Sequence, residues 1–388
     1  MVPRTETDAR IRRLQERLRQ EPVDGALLVY PIDVYYFTGS RQNSALWVPA
    51  DGEPMLLVKK SYARAAGESN IRDVRPFPSS RGLPSLFAGD IRKIGLTFDV
   101  LPVQQFRYYS DLLHDREFID VSAINREIRS VKSPWELGRL RDSGKGICGA
   151  FAQVPSFLRP GMRELDVAAE FEYRLRTAGS EGHLRIRAFH QEIVGIAVGG
   201  DNATVPGCFD GPVTGKGLST AAPYGPSEDV IAGGSPVMID YGAIFGGYIV
   251  DMTRIFVVGE LDAGLQRAFC VSAEILAWIV ERLRPGSICE DLYAGAVRIA
   301  EGYGLGEQFM GYPGEQAKFV GHGVGLELDE LPVLAQRFRM PLAAGHVIAV
   351  EPKFAFPGKG VVGIENTYAV TETECEKITN YPDEIVYL

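Results

Sequence analysis

Four carboxylates interrupt runs that are otherwise apolar: Asp240 in VMIDYGAIF, Asp251 in YIVDMTRIFV, Glu351 in VIAVEPKFAF and Glu365 in VVGIENTYAV. Buried acids lose hydration, and four close together repel one another strongly at low dielectric. Protonation relieves part of that repulsion, and a pair of divalent cations relieves more of it. Between the two acid pairs lies His322, flanked by Gly321 and Gly323, whose small size leaves the ring room to reach into a crowded site. One nitrogen and four carboxylates suit two fairly hard cations, manganese or cobalt ahead of zinc or iron. Two ions bridged by carboxylates can share a water, acidify it to hydroxide near neutral pH and polarise a carbonyl for its attack. The competing assignment is an ion-pair network. The basic residues in these strands are Arg254 and Lys353, and two such cations do not neutralise four carboxylates.

The acids belong to a faint internal repeat, and the repeat names the elements that must position them. LRPGMRELDVAAEFEYRL begins at Leu158 and LRPGSICEDLYAGAVRIA at Leu283, each reading as a turn followed by a helix. Downstream, GSPVMID ends at Asp240 and GHVIAVE at Glu351. DMTRIFV then opens at Asp251 and ENTYAVT at Glu365, both as acid-x-Thr followed by strand residues. Two similar halves packed about a pseudo-twofold axis would bring one acid pair each to a shared site. The segment from Gly199 to Asp229 is rich in Gly, Pro, Ser and Thr, and a loop of that length is expected to cover the mouth of the site.

Upstream the pattern is a small mixed α/β domain. Ile11, Leu14 and Leu18 have helical spacing, GALLVY and KIGLTFD read as strands, and SALWVPADGEPMLLV reads as a hairpin around Asp51-Gly52. Ser133, Pro134 and Glu136 form a helix-start signature, which puts the domain junction near residue 130, between domains 1–130 and 131–388. With 388 residues, 45% of them hydrophobic, the chain can build two cores. A net charge of −9 without a basic tract excludes nucleic acid as the expected partner. The five cysteines form no C-x-x-C pair, and no run reaches membrane-spanning length, so a cytoplasmic protein without a membrane partner is expected. GPVTGKGLS lacks the Ser or Thr of a phosphate-binding loop, and Cys208 has no histidine partner nearby in sequence.

Asp240 and Asp251 eleven positions apart, GHGVGLELDELP, VEPKF and GIENTYAV together resemble the pita-bread metallopeptidases, the family of prolidase, aminopeptidase P, methionine aminopeptidase and creatinase. RIRRLQERL, DGALLVYPIDVYYFTGS and REIRSVKSPWELGRLR are similar to the creatinase-type amino domain of the prolidase and aminopeptidase P branch. The resemblance implies an α/β (α+β) architecture, a pseudo-twofold catalytic domain and a homodimer. It also implies a dinuclear centre of Asp240, Asp251, His322, Glu351 and Glu365, cleavage of Xaa-Pro peptide bonds, and a second role for Glu351 in taking the proton of the bridging water. Family peptidases carry a further histidine seven residues after the ligand histidine, where this chain has Asp329. They carry another before the first aspartate, where the nearest counterpart is Tyr224. Tyr224 can donate a hydrogen bond to an oxyanion, and Asp329 can receive a substrate ammonium group. His183 or His190 could also fold back into the site. The substitutions leave open a hydrolase or lyase acting on a small non-peptide amide or acid. A catalytically inactive binding module is the remaining alternative, and retention of all five ligands stands against it.

Overall fold

The computed structural model describes residues 1–87, 89–187 and 193–388, and the chain divides into two compact units, Met1–Arg129 and Ser130–Leu388. In the first, the helix Arg4–Leu18 buries Ile11, Leu14 and Leu18, as their spacing predicts. The strand Gly25–Leu28 is buried at every position and lies inside a six-stranded sheet. It pairs antiparallel with Ser44–Pro49 and parallel with Lys93–Leu96. Ser44–Pro49 returns through the Asp51-Gly52 turn to Met55–Val58, with Trp47 opposite Met55, so the hairpin forms where the turn dipeptide places it. Asp73–Pro76 and Glu117–Asp120 complete the edges. Leu27, Trp47, Leu57, Phe87, Ile94 and Tyr109 anchor this unit's own core.

The second unit opens with a capped helix, Pro134–Phe151. Ser133 Oγ accepts from the Glu136 N–H at 3.2 Å, and Glu136 Oε2 accepts from the Ser133 N–H at 3.0 Å, satisfying two otherwise orphaned amides. The two repeat segments form the helices Glu164–Thr177 and Cys289–Gly302. In the first half, Pro236–Phe245 and Tyr248–Val257 pair antiparallel along their full ten-residue lengths. In the second half the matching strands, Val347–Val350 and Asn366–Val370, are shorter, and the hairpin Lys353–Phe356 and Gly360–Gly363 is inserted between them. Val347–Val350 is flanked by Phe319–Gly323, which pairs in turn with Glu330–Ala335. The two sheets are joined by an antiparallel bridge between Thr253 and Glu365, beside which the Thr367 hydroxyl bonds both the N–H and the carbonyl of Asp251. These halves form one compact unit of mixed helices and sheets. Among the described residues one helix, Ala263–Val280, is long and apolar enough to cross a membrane by composition alone, and its Leu265, Phe269, Ile275 and Ile279 lie in the unit's core.

Candidate metal centre

The hairpin register aligns the first acid pair. Asp240 lies opposite Thr253 and Asp251 opposite Gly242, so the two-residue period of the strands puts Asp240, Asp251 and Thr253 on one face. Thr253 and Glu365 exchange backbone N–H···O contacts of 3.4 Å, and Thr253 Oγ donates to Glu365 Oε2 at 2.8 Å. This bridge carries the second acid pair to the first. Glu351 follows directly on the strand Val347–Val350, and His322 sits on the neighbouring strand opposite Ala349. The glycines around His322 have a different reason from the one read in the sequence. A Cβ on Gly321 would lie 2.5 Å from the Ala349 carbonyl oxygen, and one on Gly323 would lie 2.4 Å from that of Leu331. Close approach of the two flanking strands, more than space for the ring, requires glycine at both positions.

His322 Nδ1 lies 3.1 Å from the Leu328 carbonyl oxygen, which can only accept, so this nitrogen carries the proton. In the neutral ring Nε2 is then the lone-pair donor, although the Asp329, Glu351, Asp251 and Glu365 charges outweigh desolvation and push the His322 pKa up to about 9, so that a cation bound there would displace a proton. Nε2 faces Glu351 Oε1 at 3.7 Å, Asp251 Oδ2 at 3.9 Å and Glu365 Oε1 at 3.9 Å. One donor atom from each of Asp251, His322 and Glu365 lies within 4.8 Å of the others. Glu365 Oε1 is buried and has no hydrogen-bond partner among the described residues. Burial pushes the Asp240 and Asp251 carboxyls up, and the Glu365 and Asp240 charges add to the rise at Asp251, which lies well above the usual carboxylate range. An orphaned buried oxygen, an imidazole nitrogen facing three carboxylates and the crowding of those carboxylates fit a divalent cation.

A sixth group enters the cluster. The fully buried ammonium of Lys353 donates to Asp240 Oδ2 at 2.9 Å, Glu351 Oε2 at 2.6 Å and Glu365 Oε2 at 3.0 Å. Desolvation works against that charge, but Asp240, Glu351 and Glu365 outweigh it and hold the lysine pKa well above its ordinary value. Arg254, the other base in these strands, turns away from the carboxylates. It donates to Asp383 Oδ1, Asn366 Oδ1 and the carbonyls of Pro382 and Glu365. A signal for this difference was present in the sequence. Along extended chain Lys353 lies two residues after Glu351 and projects to the same side, whereas Arg254 lies three after Asp251 and projects to the opposite one.

The cluster forms the floor of a cavity of 700 Å³. Leu184, Ile193, Ile196, Phe319 and Leu328 give it apolar walls, and the Gly199–Asp229 loop supplies Phe209, Val213, Pro223 and Tyr224. Tyr224 packs edge-on to Phe209, with ring centroids 5.9 Å apart. Asp329 also lines the cavity, half exposed, with Oδ1 3.4 Å from His322 Nδ1. His183 is exposed and does not line it, and His190 lies outside the described residues.

Known proteins share this arrangement of units. The family model for metallopeptidase family M24 matches residues 138–372, and that for the creatinase/prolidase N-terminal domain matches residues 10–131. The chain is 26% identical over 384 residues to a Xaa-Pro dipeptidase of Pyrococcus furiosus, covering 97% of this chain and 99% of that protein. The solved Xaa-Pro dipeptidase of Bacillus anthracis superposes with a TM-score of 0.85 at 25% identity, over 98% of this chain and 100% of that one. The prolidase of Pyrococcus horikoshii gives 0.83 at 25% identity, over 97% and 100%. With more than half its length matched by one family model and relatives aligned from end to end, the chain belongs to metallopeptidase family M24, with a pita-bread catalytic unit and a creatinase-type amino domain.

Proposed function

We propose that this enzyme is a divalent-metal-dependent aminopeptidase or dipeptidase that cleaves the bond between an N-terminal residue and a following proline. The observation that carries the reading is the convergence of Asp240, Asp251, His322, Glu351 and Glu365 at the floor of one apolar cavity. A divalent ion held there, with manganese or cobalt best suited to the oxygen-rich set, supplies acidification of a water and polarisation of the scissile carbonyl. The chain's own residues do the rest. Glu351 Oε1 faces the ring of His322 and is the oxygen positioned to take a proton, because Oε2 already accepts from Lys353. The apolar walls receive the proline ring, and Asp329 supplies a negative charge for the free ammonium end of the substrate. Tyr224 supplies a hydroxyl donor from the loop side for charge developing on the carbonyl oxygen. A 700 Å³ cavity is of a size for a small peptide. The tertiary amide before proline is a poor substrate for general peptidases, which gives a dedicated site its chemical purpose.

The test is hydrolysis of Xaa-Pro dipeptides and longer Xaa-Pro peptides by purified, manganese-loaded protein. Cleavage at the Xaa-Pro bond, abolished by chelator and restored by metal, is the expected result. A fully loaded protein that hydrolyses none of these peptides overturns the peptidase reading.

A further inference from the structure

The four carboxylates alone call for two divalent cations, but they are not alone. We propose that the Lys353 ammonium stands in the place of one of those cations, so that each active site takes a single divalent ion, held by Asp251, His322 and Glu365 with Glu351 beside them. The inference rests on the metal-dependent reading above and deepens it.

Position is the first argument. The ammonium nitrogen lies 2.6–3.0 Å from Asp240 Oδ2, Glu351 Oε2 and Glu365 Oε2. A divalent ion ligated by those same oxygens would sit roughly 2.0–2.2 Å from each, in the volume the ammonium fills. The oxygens divide accordingly. Glu351 and Glu365 each turn Oε2 to the lysine and Oε1 towards His322 Nε2, and Asp240 Oδ2 is committed to the lysine side. Among the described residues the cluster's orphaned buried acceptor, Glu365 Oε1, lies on the His322 side. The lysine path is a second, independent argument. Lys353 pairs across its hairpin with Gly363, and a Cβ at 363 would lie 2.6 Å from Lys353 Cγ. The backbone is bare where the lysine stem crosses it.

The experiment counts ions. Chelator-stripped wild-type protein is titrated with Mn2+ by calorimetry, and the bound ion is examined by electron paramagnetic resonance. The expected result is one ion per chain with the spectrum of an isolated Mn2+. Lys353→Gly, folded by circular dichroism, is expected to bind two ions and give a spin-coupled spectrum. His322→Ala with the lysine kept is expected to bind none, because no second place remains. Two ions in the wild type, an unchanged count of one in Lys353→Gly, or one ion retained in His322→Ala each overturn the proposal. Folded wild-type protein that binds no Mn2+ overturns the metal-dependent reading together with it, so the two failures are distinguishable.

Discussion

Asp251 carries a conflict between stability and function at a single residue. Its carboxylate is buried beside Glu365 and Asp240, and its pKa rises well above the usual range for that reason. The group is useful only when a cation is present. Asp251→Asn keeps an oxygen for the Met252 N–H, which Asp251 Oδ1 now accepts at 3.0 Å, and removes one negative charge. In chelator at pH 7 this variant is expected to be more stable than wild type by about 1–3 kcal/mol, the scale of one like-charge contact relieved at an intermediate dielectric. It is also expected to lose metal affinity and peptidase activity. Urea midpoints with and without Mn2+ check it, and a destabilised metal-free variant would show that the charge is compensated without metal. At this scale much of the site is legible in the sequence. The duplicated strand-end acids, Asp240 and Glu351, and the duplicated acid-x-Thr starts, Asp251 and Glu365, single out the four where one acid alone would not. Lys353 was in view, and its even spacing from Glu351 gave its side of the strand. Its reach to Asp240 and Glu365 was not legible, because the contact between the two sheets at Thr253 and Glu365 has no local sequence code.

One buried glutamate ties an element of the cavity wall to the fold. Glu164, in the first turn of the helix Glu164–Thr177, accepts from the Gly199 N–H at 2.7 Å, the Ser227 N–H at 2.9 Å, the Ser227 hydroxyl at 2.7 Å and the Asn202 amide at 2.5 Å. Gly199 opens the long loop and Ser227 lies near its end, so a single carboxylate clamps both. Glu164→Ala leaves these donors without their acceptor and is expected to cost roughly 2–4 kcal/mol. Because the loop lines the cavity and supplies none of the proposed metal ligands, the variant is expected to raise KM several-fold and to speed proteolytic cleavage within 199–229, with Mn2+ affinity unchanged. A loss of metal affinity equal to the loss in kcat/KM would overturn that division of labour. Elements with local codes were legible: the Ser133 cap, the Asp51-Gly52 turn and the two repeat helices. Composition marked the Gly199–Asp229 loop as functional, but the clamp joins residues 35 and 63 positions apart in the chain and leaves no periodic trace. The inserted hairpin Lys353–Phe356 and Gly360–Gly363 was hidden for a related reason. Its apolar strands continue the hydrophobic run on either side of it.

For the molecule as a whole, acid sensitivity is expected to depend on a histidine outside the metal centre. His346 is buried just before the strand Val347–Val350 that leads to Glu351. Its Nδ1 accepts from the Ala343 N–H at 3.1 Å, which requires that nitrogen to be unprotonated, and Nε2 faces Ser130 Oγ at 3.4 Å. Burial, reinforced by the Lys132 charge, lowers its pKa to about 4. The unfolded chain therefore takes up a proton near pH 6.5 that the folded chain refuses until about pH 4. The contribution of neutral His346 to stability is present in full above pH 6.5 and is lost as the pH falls from there to about 4. The difference in pKa corresponds to about 3 kcal/mol. Burial also raises the pKa of the Asp240 and Asp251 carboxyls, so the comparison that isolates His346 is with His346→Asn, whose side-chain oxygen can still accept from Ala343. Urea unfolding in chelator, followed at pH 7.5 and at pH 4.5, is expected to show wild type losing on the order of 2–3 kcal/mol more than the variant. Parallel losses in the two proteins would show that His346 becomes protonated without unfolding its surroundings. The acid limit would then lie with the carboxylates around Lys353, and would move on Lys353→Gly rather than on His346→Asn.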